Sequence, residues 1–213
     1  MLYNSKNIDY EKFTFKKAIK GKDGKYFIAS SIQEDDEVKN EILTQLGQIE
    51  CKTNMVDQES QEQATSLDFV LDNLKQIEFI SEMDEHMLIC CKEHKEEWFP
   101  GQELSDSYLD SAFMPSIRST KKGSKQVLKT RVSSTTLIYN SDKEVQEPTV
   151  VTSGIKVSTI ACMAGLWFTK TRFGITWKVR QIKVQKEPKK IRTDYLFEDA
   201  ESDEELDNVF PDE

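Results

Sequence analysis

Between Gly165 and Arg180 the chain places four aromatic side chains (Trp167, Phe168, Phe173, Trp177) and four basic ones (Lys170, Arg172, Lys178, Arg180) within sixteen positions. Rings and cations interleaved in this way suit a ligand that offers flat apolar faces and fixed negative charge together. An unpaired nucleic-acid strand is such a ligand, because its bases stack on rings while its phosphates pair with Lys or Arg. A duplex hides its base faces. Stacking is worth roughly 1 to 3 kcal/mol per base, and each phosphate contact adds a salt-sensitive contribution. More cations precede this stretch at Lys121, Lys122, Lys129 and Arg131, with a further ring at Tyr139.

The rings carry two readings. Trp177 stands between Ile175 and Val179 on an alternating run, so it serves equally as core or as stacking platform. Trp167 and Phe168 point to opposite faces of one strand, so at most one of them is core. Phe173, just before Gly174, reads as a turn residue open to solvent. The expected DNA-contact set is Lys121, Lys122, Lys129, Arg131, Tyr139, Trp167, Lys170, Arg172, Phe173, Trp177, Lys178 and Arg180.

Charge is sorted along the 213 residues. Ser116 to Thr193 holds 17 Lys or Arg against four Asp or Glu, Met1 to Pro115 holds 12 against 24, and Asp194 to Glu213 holds ten acidic residues and no basic one. Like charges gathered in one segment repel each other, and such sorting commonly serves a partner of opposite sign. The last twenty residues are too acidic and too poor in apolar side chains to offset their chain entropy, and are expected to be disordered. They read either as a solubilising terminus or as a tethered polyanion that occupies the basic groove until nucleic acid displaces it. Leu206, Val209 and Phe210, embedded in that acid, would then dock a protein partner.

The elements that must hold these groups are mostly β. Phe13 and Phe15 alternate with polar residues, Lys22-Asp23-Gly24-Lys25 is a turn, and Tyr26 to Ile32 is a short apolar strand. Lys52 to Thr65 reads as a polar loop. Ser66 is the expected N-cap of a helix whose apolar positions run Leu67, Val70, Leu71, Leu74, Ile77 and on to Cys91, ended by Pro100-Gly101. After Pro115 alternation resumes: a strand from Lys125 to Tyr139 with Lys129 and Arg131 on one face, a second run from Thr149 to Met163, and a third from Ile175 to Gln185. In the third the phase changes at Ile182 and Val184, which calls for a bulge.

Other chemistries find no support. No Walker loop, H-E-x-x-H or nucleophile elbow is present, so no enzyme and no cofactor is expected. Cys51, Cys90, Cys91 and Cys162 show no C-x-x-C pair, and His86 and His94 stand without ligands in register, so the thiols are expected to be free and no metal bound. No apolar run reaches the roughly 20 residues that cross a bilayer, and Met1 to Tyr10 is polar, so the protein is expected inside the cell and off the membrane.

Gly165-Leu166-Trp167-Phe168, then Phe173-Gly174-Ile175-Thr176-Trp177-Lys178 and Gln181-Ile182-Lys183-Val184, resembles the C-terminal signature of the single-stranded-DNA-binding proteins of nucleocytoplasmic large DNA viruses. Glu97-Trp98-Phe99 and Pro115-Ser116-Ile117-Arg118 resemble that family's helix end and the start of its next segment. The resemblance implies a mainly β (α+β) chain built on an OB-type five-stranded Greek-key barrel, with a helical insertion near 66–99 and a domain spanning 1–193 ahead of an acidic tail at 194–213. It also implies coating of single-stranded DNA during viral replication, recombination or repair, at the viral replication site in the cytoplasm or nucleus of the host. The plan is similar to bacteriophage replication proteins whose acidic tail and terminal aromatic, here Phe210, recruit polymerase or helicase. The competing expectation is a non-catalytic transcription or assembly scaffold that binds basic proteins through Gln33 to Pro115. RNA binding is a third, though nothing in the sequence reads a ribose hydroxyl.

Overall fold

A computed structural model describes residues 1–21, 24–34, 37–57, 60–120 and 125–185. Its elements in chain order are β1 (Phe13–Phe15), β2 (Ile19–Lys20), β3 (Tyr26–Glu34), β4 (Glu37–Lys39), β5 (Ile42–Cys51), β6 (Ser66–Leu71), α1 (Leu74–Trp98), α2 (Asp106–Ala112), β7 (Phe113–Met114), β8 (Ile117–Ser119), β9 (Gln126–Arg131), β10 (Leu137–Tyr139), β11 (Lys156–Phe168) and β12 (Phe173–Val184). The described residues are mainly β with two α-helices, an α+β arrangement.

The long β11–β12 hairpin organises everything else. β11 pairs with β5 along its first half and with β3 along its second, and β12 covers its other edge throughout. β5 pairs with β6, β6 with β9, and β9 meets β12 at the single bridge Arg131–Lys178, so the pairing returns to where it began. The switch of β11 from β5 to β3 happens at Gly165. Its φ of +138° suits glycine, and a Cβ there would lie 2.1 Å from the Ile28 carbonyl oxygen, so no other residue lets the two strands approach.

Parity along the hairpin decides what is core. Phe168 and Phe173, Leu166 and Ile175, Met163 and Trp177, Ala161 and Val179, and Thr159 and Ile182 are cross-strand pairs, and all of them are buried. Trp167 and Gly174, Cys162 and Lys178, Ile160 and Gln181, and Ser158 and Lys183 alternate with them on the opposite face. The phase change seen in the sequence is a bulge: Ile160 faces Gln181 and Ala161 faces Val179, leaving Arg180 as the extra residue.

The expected helix is corrected at its start. Ser66–Leu71 is strand β6, and α1 begins at Leu74 behind Asn73, whose side chain accepts from the Lys75 N–H at 3.0 Å. Leu67, Phe69, Val70 and Leu71 are all buried; only Ser66 to Phe69 alternates, Val70-Leu71 breaks that alternation, and Leu67, Val70, Leu71 and Leu74 also fit helical spacing. From Leu74 the helical spacing is real: Phe79, Ile80, Met83, Met87, Cys90 and Cys91 face the core, each large side chain contributing about 1.5–3 kcal/mol by burial. The helix ends at Trp98, and Gly101 takes φ +80° just beyond Pro100. Glu78, Glu82, Glu85, Glu93, Glu96 and Glu97 are exposed on its outer side.

The single strand expected from Lys125 to Tyr139 is two strands. β9 stops at Arg131, a turn follows in which the Ser133 N–H donates to Thr136 Oγ1 at 3.2 Å, and β10 then runs parallel to β12. The described residues between Lys52 and Thr65 form a loop that anchors itself by sinking Met55 fully into the core. All four cysteines are free and buried, and burial pushes the Cys90 and Cys91 thiols up to about 11 and about 12. Among the described residues no helix is long and apolar enough to cross a membrane.

Candidate functional site

A cleft of about 360 Å³ opens between β9 and the β11–β12 hairpin. Arg118, Lys129 and Arg131 stand on one wall, Trp167 and Thr176 on the other, and Met114, Pro115 and Ser116 at its base. No carboxylate among the described residues lines it. Alternation on β9 turns Leu128 and Thr130 into the core and leaves Lys129 and Arg131 in solvent. Strand pairing places Lys178 directly beside Arg131.

Several cations elsewhere are neutralised locally. Lys92 pairs with Asp110 at 2.6 Å, Lys95 with Asp106 at 2.7 Å, and Lys125 and Lys156 with Glu50 at 3.5 and 3.8 Å. Arg118, Lys129, Arg131 and Lys178 make no ion pair among the described residues. The cleft and its edge thus gather four exposed cations with no local counter-charge, and their mutual repulsion favours a bound anion.

Rings meet the charge on the same face. Trp167 is half-buried, and its indole rests on Gly174, since a Cβ at that glycine would lie 3.4 Å from Cζ2 and Nε1 of the ring. Phe27 on β3 is paired in register with Trp167, is also half-buried, and has the Lys178 ammonium 6.0 Å from its ring centroid. Two ring faces and the Lys178 ammonium thus lie together beside the cleft.

The base of the cleft is held from below. The Trp177 indole N–H donates to Ser116 Oγ at 2.8 Å, and the Ser116 hydroxyl and backbone N–H donate to the two oxygens of Asp84 at 2.6 and 2.7 Å. Asp84 sits on α1 and is 6% exposed. Burial raises its carboxyl from the usual 3.8 to about 6, and the two hydrogen bonds from Ser116 work against that rise. Through this relay α1 fixes the segment that leads into β8 and Arg118.

The expected contact residues separate into groups. Lys129, Arg131 and Trp167 line the cleft, and Lys178 adjoins it. Trp177 forms part of the cleft wall but is only 2% exposed, so it is a structural ring and offers no stacking face. Phe173 is not the open turn residue that was expected. It is 2% exposed and stacked on Phe168 at 5.1 Å between centroids, because parity turns it inward. Arg172 does not line the cleft but a separate pocket beside the hairpin turn, its Nη1 3.4 Å from Sδ of the cleft residue Met114. Lys170 is exposed at the hairpin turn, where its carbonyl accepts from the Tyr108 hydroxyl at 3.1 Å. Arg180 is paired with Glu41 and does not line the cleft. Tyr139 lies away from the cleft, on β10. Lys121, Lys122 and Phe210 lie outside the described residues. Sequence reasoning missed Phe27 and Arg118 as site residues. Phe27 sat inside an apolar run with no clue to its face, whereas Arg118 follows Pro115 at the start of a strand, a signal that could have been used.

No curated protein matches the chain in sequence. Among solved structures it resembles gp2.5, a single-stranded DNA binding protein encoded by bacteriophage T7, with a TM-score of 0.50 at 9% identity over 81% of this chain and 100% of that one. It also resembles a single-stranded DNA-binding protein from bacteriophage Enc34 in complex with ssDNA, with a TM-score of 0.46 at 14% identity over 84% of this chain and 97% of that one. At such identities the likeness to the T7 protein is one of fold. Residues 32–199 match the model described as a family of unknown function (DUF5871), and the chain belongs to that family.

Proposed function

We propose that this protein binds single-stranded DNA without reading its sequence and has no catalytic role. One observation carries this: four unpaired cations, Arg118, Lys129, Arg131 and Lys178, converge with the half-buried rings of Phe27 and Trp167 on one face. Cations track the backbone and rings accept any base, which is the pattern of a sequence-tolerant single-strand site. The ring of pairings among β5, β6, β9, β12 and β11 supports an OB-type five-stranded barrel beneath that face. The T7 protein of similar fold is itself a single-stranded DNA binding protein.

The finer role we assign is protection of single strands during viral DNA replication, recombination or repair, inside the infected cell. The chain fits among the single-stranded-DNA-binding proteins of nucleocytoplasmic large DNA viruses through the hairpin residues from Gly165 to Val184. Its acidic tail competes for the cleft and, through Phe210, recruits replication proteins such as polymerase or helicase. Six exposed glutamates on α1 repel phosphate and orient the strand toward the cleft.

Titration with labelled oligo-dT, and with duplex of equal length, tests this. Single strands bind at least tenfold tighter; equal or tighter duplex binding overturns the proposal. Cutting after Thr193 strengthens binding, most at low salt, if the tail competes.

A further inference from the structure

Beyond the Arg180 bulge, the outer face of β12 continues into a second cavity of about 400 Å³, within the range of small-ligand pockets. Tyr139 from β10, Ile160 from β11, and Gln45 and Gln181 from the flanking strands line it. Tyr139 and Ile160 are both half-buried, so each keeps an apolar face open to the cavity. Lys143 and Lys183 also line it, both exposed and neither in an ion pair among the described residues. No carboxylate among the described residues does.

Parity makes this cavity part of the same surface as the cleft. Gly174, Thr176 and Lys178 share the outer face of β12 with Gln181 and Lys183, because the bulge at Arg180 restores the phase. From Thr176 to Lys183 the strand rises roughly 23 Å at about 3.3 Å per residue, so a chain lying in the cleft reaches the cavity by following β12. A slot with an aromatic wall, an aliphatic wall, two amides able to donate and accept, and two unpaired lysines fits a nucleotide: a flat base inside and phosphates at the lysines.

We propose that this cavity is a second subsite for the same DNA strand, taking one base against Tyr139 and Ile160 while Lys143 and Lys183 hold the adjoining phosphates. It rests on the single-strand reading above and extends it by a separate set of residues. The amides of Gln45 and Gln181 can turn either way, so any base is accepted.

The test uses the full chain and labelled oligo-dT of stepped length. Affinity of the wild-type protein rises in a step once the strand spans both sites. Lys143→Gln with Lys183→Gln, at two exposed and unpaired positions, leaves the shortest bound strand unaffected. On long strands it weakens binding about tenfold and lowers the salt slope by about 1.4. Tyr139→Ala costs about fivefold to a hundredfold on long strands only, and Tyr139→Phe restores most of it, since the ring face is kept. Wild-type affinity and slope in the lysine double variant overturn the subsite, as does a loss equal on short and long strands. If the wild-type protein binds oligo-dT of no length, the single-strand reading itself falls and the subsite with it.

Discussion

Replacing Lys129 and Arg131 together with glutamine isolates the electrostatic part of the cleft. Both side chains are exposed and outside any ion pair among the described residues, so the fold should hold within the ±0.5 kcal/mol usual for surface changes. Each phosphate neutralised on a single strand contributes about −0.7 to the slope of log affinity against log salt. On a strand short enough to occupy the cleft alone, its four cations then give about −2.8, and the double variant about −1.4. Raising salt from about 50 to about 200 mM weakens the wild-type protein about fiftyfold and the variant only about sevenfold. Fluorescence anisotropy with labelled oligo-dT at five or six salt concentrations reads this directly. The loss is the same for dT and mixed-sequence strands, since phosphate contacts carry no sequence information. An unchanged slope in the variant would place the bound backbone elsewhere and refute the assignment of the cleft.

Trp167→Ala weakens single-strand binding by about 1–3 kcal/mol with little change in melting temperature, while Trp177→Phe does the reverse, costing about 1 kcal/mol of stability for the lost bond to Ser116. Oligo-dT titrations and thermal melts of both variants check the contrast. Gly174→Ala drives a Cβ to 2.7 Å from the Met114 carbonyl and lifts the Trp167 indole, so both stability and binding fall; overpacking of this kind costs about 1–3 kcal/mol, measurable by urea unfolding. Asp84 has a folded-state value near 6, above its usual 3.8, so its ionisation opposes folding as pH rises through that window. The stability of wild type minus Asp84→Asn therefore falls by about 2–3 kcal/mol between pH 4 and pH 7, and a pH-independent difference would refute the burial argument.

What could be read before the structure was local. Strict alternation placed Phe168 and Trp167 on opposite faces, and a phase slip at Ile182 announced the bulge at Arg180. In β6 the alternation lasts only from Ser66 to Phe69 before Val70-Leu71 breaks it, which is why that strand read as the start of α1. Partners distant in sequence were equally silent. Glu41 pairs with Arg180 from 139 positions away, and Asp84 reaches Ser116 across 32, so neither that ion pair nor the relay beneath the cleft had a local trace. The basic surplus after Ser116 pointed to an anionic ligand, but only pairing through β9 and β12 showed which of those cations stand together.

Photocrosslinking with an oligo-dT strand carrying 5-iodouracil, followed by mass spectrometry of the linked peptides, tests the central claim most directly. Crosslinks should concentrate on Trp167 and Phe27 and vanish from the Trp167 peptide in Trp167→Ala. Links confined to α1 or to β1, β2 and β4, with none on Phe27 or the β11–β12 hairpin, would contradict it.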